Sequence, residues 1–184
     1  MRVFVAVPCR VNERFAAFAA RLGALDGHVK PVPPENAHVT LKFLGEVPEA
    51  QVSHVAEAVR EAASGAARFE APLHGAGAFP RETSPRVVWV GVDEVFQQPL
   101  GRLAARVEEA LATRGYPRER RAFHAHVTVA RVEGLRDRDG MRRLLEAYRH
   151  EAFGTLDGTV AKVMRSRLTP RGAVYDAVHE VALA

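Results

Sequence analysis

Apolar positions along the chain follow two rhythms, a period of two and a period near 3.6, and they alternate from one to the other. Val3 to Val7 alternate weakly and predict a strand closed by Pro8. Asn12 predicts a capped helix to about Leu25, with Phe15, Phe18, Leu22 and Leu25 on one face. A proline-rich approach, residues 32–36, leads into a strand over His38 to Leu44 that stops at Gly45. Pro48 opens a second helix to about Ala63, with Val52, Val55, Ala56 and Val59 aligned. Phe69 to Phe79 and Val87 to Val92 read as strands joined through the turn-rich link 80–85. A third helix is predicted from about Gln98 to Arg114, carrying Leu100, Leu103, Val107 and Leu111 in register. An arginine-rich loop, Pro117 to Arg121, precedes a strand from about Phe123 to Arg131. A short helix near Arg138 to Tyr148 and two strands, near Val160 to Leu168 and Val174 to Leu183, complete the pattern, with Thr169 to Gly172 as their hairpin turn. The interleaving lacks the regular βαβ metre of a doubly wound sheet, so the expected class is α+β, one domain over residues 1–184 with two lobes sharing a core.

Composition narrows the class of protein more than its chemistry. A chain of 184 residues, 47% of them hydrophobic, buries roughly 70% of its unfolded surface and needs neither disulfide nor metal to fold. Cys9 has no second cysteine to pair with, which points to a reducing compartment. The opening residues lack the layout of a signal peptide, and there is no apolar run of about 18 residues. The expectation is a cytoplasmic protein, a monomer with no membrane partner. Its basic residues are 23 Arg against 3 Lys, for a net charge of +4. Guanidinium groups fork onto phosphate, so the balance suits a polyanion. A GC-rich coding sequence would produce the same bias, and charge alone identifies no partner.

One tetrapeptide carries the chemistry. His38-Val39-Thr40-Leu41 recurs as His126-Val127-Thr128-Val129, 88 residues further on. With 8 His and 7 Thr in the chain, composition makes even one His-x-Thr an infrequent accident. Strand alternation sends His38 and Thr40 to one face and Val39 and Leu41 to the other, and the second copy repeats this. If a pseudo-twofold relates the halves, two imidazoles and two hydroxyls line one cleft. That set suits metal-free phosphodiester chemistry. One histidine removes a proton from the attacking oxygen and the other protonates the leaving oxygen. Thr40 and Thr128 would hydrogen-bond the non-bridging oxygens as charge develops.

Neighbouring residues extend the candidate site. Lys42 shares the parity of His38 and Thr40 and is a candidate phosphate contact. Phe43 has the buried parity, although at the strand end it could stack on a base. Arg131 has the parity opposite to His126, so it reaches a phosphate only from a frayed end or after a bulge. His124 lies two residues before His126, a ligand-like spacing, but neither motif strand supplies Asp, Glu or Cys to complete a zinc site. A supporting hydrogen-bonding role is expected for His124, with no metal and no cofactor. His28, His54, His74, His150 and His179 have no comparable context. Walker, dinucleotide-loop and Gly-x-Ser-x-Gly signatures are absent.

The sequence resembles the two-histidine (2H) phosphoesterases, and within them the RNA 2′,3′-cyclic phosphodiesterases, also called 2′-5′ RNA ligases. The resemblance is carried by residues 2–7, by 32–47 with both the Pro-Pro-Glu-Asn approach and the first motif, by 85–91, by 123–131 and by 165–170. It implies two pseudo-symmetric lobes of antiparallel sheet with flanking helices around a central cleft. It implies hydrolysis of cyclic phosphate ends of RNA, tRNA fragments among them, to 2′-phosphomonoesters, with reversible ATP-independent 2′-5′ ligation beside it. By the same resemblance His38 is the proton donor, His126 the acceptor and Arg131 a phosphate ligand. Ala125 stands where proline is common, and Val5 where some members carry an aromatic. A small cyclic nucleotide such as ADP-ribose 1″,2″-cyclic phosphate is the alternative substrate, and an RNA-end binding module without catalysis the alternative class.

Overall fold

The computed structural model describes residues 1–170 and 172–184; the predicted turn at 169–172 includes Arg171, which lies outside the described residues. In chain order the elements are β1 (Arg2–Val11), α1 (Glu13–Gly23), β2 (Gly27–Pro31), β3 (His38–Glu46), α2 (Val52–Ala63), β4 (Phe69–Arg81), β5 (Ser84–Val92), α3 (Glu94–Ala112), β6 (His126–Leu135), α4 (Arg138–Tyr148), β7 (Ala152–Gly158), β8 (Val160–Thr169) and β9 (Gly172–Ala182). Helix α1 begins where Asn12 accepts hydrogen bonds from the amides of Arg14 and Phe15, and it buries Phe15, Phe18, Ala19 and Leu22. Helix α3 starts four residues earlier than its apolar spacing predicts. Asp93 caps it through the amide of Val95, and Pro99 is tolerated inside it.

All the paired strands are antiparallel, and they form one sheet in the order β2-β6-β5-β4-β7-β1-β8-β9. Strand β3 pairs with both β1 and β6, so the path β6-β5-β4-β7-β1-β3 returns on itself. One lobe is β3, β1, β8 and β9; the other is β6, β5, β4 and β2. Strand β1 does not end at Pro8. It continues to Val11 by exchanging β3 and β8 for β7 as partner, and it is buried on both faces from Val3 to Val7. Helices α2 and α3 pack on each other, as do α1 and α4. The core runs between these helices and the sheet, through Leu22, Val55, Val59, Leu103, Val107, Leu145 and Phe153.

Strands β2 and β7 are not predicted by the sequence pattern. Strand β2 has five residues and a half-exposed pattern. Strand β7 includes Gly154 at φ 120°, a conformation closed to other residues, where a Cβ would collide with the Arg10 carbonyl oxygen. Neither carries the alternation that marks a strand in sequence.

Candidate active site

The two motif strands meet at a single pair, Val39 opposite Val127. Antiparallel register then sets His38 across from Thr128 and Thr40 across from His126. All four are half-buried, while Val39, Leu41, Val127 and Val129 are buried behind them. Residues on the diagonal of such a pair lie about 7–8 Å apart, a span that admits a phosphate between His38 and His126.

Both strands then break alternation at the same point. On β3, Thr40 pairs with Ala6 and Lys42 with Val5, which leaves Leu41 unopposed; on β6, Thr128 pairs with Trp89 and Ala130 with Val88, which leaves Val129 unopposed. Each is a β-bulge, and a bulge moves every later side chain to the other face. Arg131 is thereby exposed on the face of His126, and Phe43, 60% exposed, on the face of His38. Phe43 and Arg131 are register equivalents, each five residues past its histidine.

The same local geometry holds both imidazoles. His38 Nδ1 is 2.6 Å from the carbonyl oxygen of Asn36, and His126 Nδ1 is 2.8 Å from that of His124. A carbonyl only accepts, so each Nδ1 carries the proton and each Nε2 is left to the cleft. Burial, the largest cause, pulls both imidazoles below their ordinary pKa, against the opposing effect of these hydrogen bonds. The charge of Arg131 lowers both further, and the His126 charge is felt at His38. Arg131 therefore sits within electrostatic reach of both rings. An anion in the cleft offsets these effects and restores the imidazolium.

Aromatic rings wall each histidine. Phe4 lies 4.9 Å from His38 and Tyr175 meets it edge-on at 5.5 Å. Phe79 meets His126 edge-on at 5.1 Å, with Trp89 and His124 beside it. Among the described residues no three His, Cys, Asp or Glu side chains are grouped to hold a metal ion.

The model of the LigT-like phosphoesterases matches this chain twice, over residues 5–89 and 90–175, one His-x-Thr motif in each match. The chain belongs to the LigT-like phosphoesterase family. Among its relatives, the RNA 2′,3′-cyclic phosphodiesterase of Archaeoglobus fulgidus is 38% identical over 177 residues, covering 95% of this chain and 96% of the relative. The protein of that name from Aeropyrum pernix is 38% identical over 85% of this chain and 87% of its own. The crystal structure of TT0787 of Thermus thermophilus superposes with a TM-score of 0.74 at 32% identity, covering 100% of this chain and 98% of that one. Escherichia coli LigT complexed with 3′-AMP has the same fold at 23% identity, with a TM-score of 0.68 over 99% of this chain and 97% of that one.

Within this LigT-like chain one candidate is corrected. Lys42 does not face the cleft. The bulge at Leu41 turns it inward, 5% exposed, where Nζ lies 2.9 Å from Glu108 Oε1 and 2.8 Å from the Pro117 carbonyl oxygen. Glu108 Oε1 also accepts from the Glu119 amide at 2.9 Å. The lysine thus pins the arginine-rich loop to β3 and α3 instead of gripping phosphate. The strand predicted from Phe123 begins at His126. The segment before it is held by Gln97, whose side chain donates to the Ala125 carbonyl and accepts from the Ala125 amide, each at 3.0 Å. Gln97 and the carbonyls of Asn36 and His124 go unnoticed in sequence, because a side chain bracketing one backbone unit leaves no spacing pattern. Tyr175 and Phe79 likewise reach the site from remote strands.

Proposed function

We propose that the protein hydrolyses the 2′,3′-cyclic phosphodiester end of RNA to a 2′-phosphomonoester. The observation that carries this reading is the matched setting of the two imidazoles. They stand on paired strands, in the same tautomer, with one guanidinium beside both. His126 Nε2 takes a proton from water as its oxygen attacks phosphorus. The P–O3′ bond breaks, and His38, which enters the step as the imidazolium, gives its Nε2 proton to O3′ and is left neutral with Nδ1–H on the Asn36 carbonyl. Thr40 and Thr128 hydrogen-bond the non-bridging oxygens, Arg131 binds them as charge accumulates, and Phe43 stacks on the terminal base. His124 acts through its carbonyl, which fixes the His126 tautomer. With a 5′-hydroxyl in place of water the same steps join two RNAs by a 2′-5′ linkage. The strained cyclic phosphate is already activated, so ATP is not needed.

The relatives that bear the name RNA 2′,3′-cyclic phosphodiesterase, at 38% identity over nearly the whole chain, support this substrate class. The absence, among the described residues, of a helix long and apolar enough to cross a membrane is compatible with it. The test is incubation with an oligoribonucleotide ending in 2′,3′-cyclic phosphate, in chelator, with end groups identified. A 2′-phosphate product is expected. No conversion, or conversion only of ADP-ribose 1″,2″-cyclic phosphate, would overturn the reading.

A further inference from the structure

The two lobes share one register and differ sharply beside their histidines. In the His126 lobe, Trp89 stands opposite Thr128 and Gly77 opposite Trp89. In the His38 lobe the equivalent positions are Ala6, opposite Thr40, and Lys162, opposite Ala6. The half-buried indole is closely packed. A Cβ on Gly77 would collide with the Trp89 ring, and the rings of Phe79 and His124 pack against it. The alanine fills nothing. Beside His38 lies a cavity of about 230 Å³, lined by Ala6, Met164 and Ala177, with Asn36 and Tyr175 as walls.

The lining indicates what enters. His38 forms its wall on the side of the phosphate, and its other ionisable members are Lys162, already paired with Glu180 at 2.6 Å, and Glu35. Away from His38 these leave no excess positive charge for a second phosphate. An apolar floor, a tyrosine ring and an amide instead suit a neutral heterocycle with polar edges. The volume is below the roughly 300–1,000 Å³ of pockets for drug-sized ligands, and fits one base or nucleoside. The cavity lies towards the start of β3, beside Asn36 and Ala37, whereas Phe43 lies towards the other end of that strand.

We propose that this cavity is a second nucleoside subsite, holding the unit immediately 5′ to the cyclic end while Phe43 takes the terminal base. The assignment rests on the hydrolytic reading above. It makes the protein selective for RNA over mononucleotides, and it makes the lobes, alike in their catalytic strands, unlike in what they bind.

The test compares a 2′,3′-cyclic mononucleotide with a dinucleotide bearing the same cyclic end. Ala177 is exposed at the cavity rim, so Ala177→Trp fills the space from β9 and leaves every residue of both motif strands unchanged. Met164→Trp fills it from the floor. In the wild type, kcat/KM should favour the dinucleotide by about tenfold to a hundredfold, the range expected for one stacked base. Either filled variant should lose that advantage while keeping the mononucleotide rate, which also reports that it is folded. A wild type without length preference, or both filled variants retaining it, would overturn the subsite. Equal slowing of both substrates would assign the cavity to the terminal nucleoside and also overturn it. If the wild type opens neither cyclic phosphate, the hydrolytic reading fails first and the subsite falls with it.

Discussion

Lys42→Met tests whether the lysine of the first motif serves the fold or the substrate. The substitution keeps the apolar stem and removes the ammonium, which loses the contacts to Glu108 at 2.9 Å and to the Pro117 carbonyl at 2.8 Å. Stranding one partner of a fully buried ion pair costs about 3–5 kcal/mol. The Glu108 side chain keeps 19% of its exposure and its bond from the Glu119 amide, so about 2–3 kcal/mol is expected. For a domain of this length each kcal/mol moves Tm by roughly 2–4 °C, giving a fall of roughly 4–12 °C by calorimetry. Glu108→Gln added to Lys42→Met removes the stranded charge and should recover part of the loss. The kcat on a cyclic-phosphate substrate at 25 °C should stay near the wild-type value, because the ammonium is on the far side of the sheet from His38. A kcat lower by about 10²-fold or more with an unchanged Tm would put Lys42 on the phosphate and refute the reasoning.

His38→Ala and His126→Ala should each lower kcat by on the order of 10²–10⁴. With an aryloxide leaving group His38→Ala should recover and His126→Ala should not, and the reverse pattern would exchange acid and base. Arg131→Ala should lose on the order of 10²–10³ with either leaving group; a loss confined to one of them would remove it from the phosphate. Because both imidazoles titrate below their ordinary value of about 6.5, the bell in kcat/KM should centre below that pH, and the bell in kcat, with anion bound, should lie higher. A histidine held neutral contributes stability that is complete above its unfolded pKa and is lost as pH falls towards the folded value. Urea unfolding should therefore weaken from pH 7 to pH 5, and less so in the double alanine variant. Gly77→Ala should destabilise by about 1–3 kcal/mol through its clash with the indole, and Trp89→Leu should relieve it; a stable single variant would mean that the ring is free to move.

The two motif strands are legible in the sequence because their placement of side chains depends on alternation, the one property a sequence displays directly. His38, Thr40, His126 and Thr128 share a face as their parity requires. Parity fails two residues later for a physical reason. The bulges fall at Leu41 and Val129, ordinary strand residues with no glycine to mark them, so nothing in the sequence announces that Lys42 turns inward or that Phe43 and Arg131 turn outward. The spacing of five from each histidine is shared by Phe43 and Arg131, but it gains meaning only once the bulge is seen. The predicted start of α3 near Gln98 follows the apolar register that begins at Leu100, whereas the helix itself starts just after the Asp93 cap, at Glu94, four residues earlier. Strands β2 and β7 owe their existence to partners supplied by β6, β4 and β1. Such pairing is set by tertiary structure, which local pattern does not encode.

Val39 and Val127 are the one pair between the motif strands, and the lobes are joined a second time through β7, which pairs with both β1 and β4. The two connections close a ring of strands, so the histidines stand next to a joint that is braced from the far side. With about 3.3 Å per residue along a strand, His38 and His126 sit one residue from the shared valine pair and Phe43 and Arg131 four. Any splaying of the two motif strands about that pair therefore displaces the outer positions about four times as far as the imidazoles.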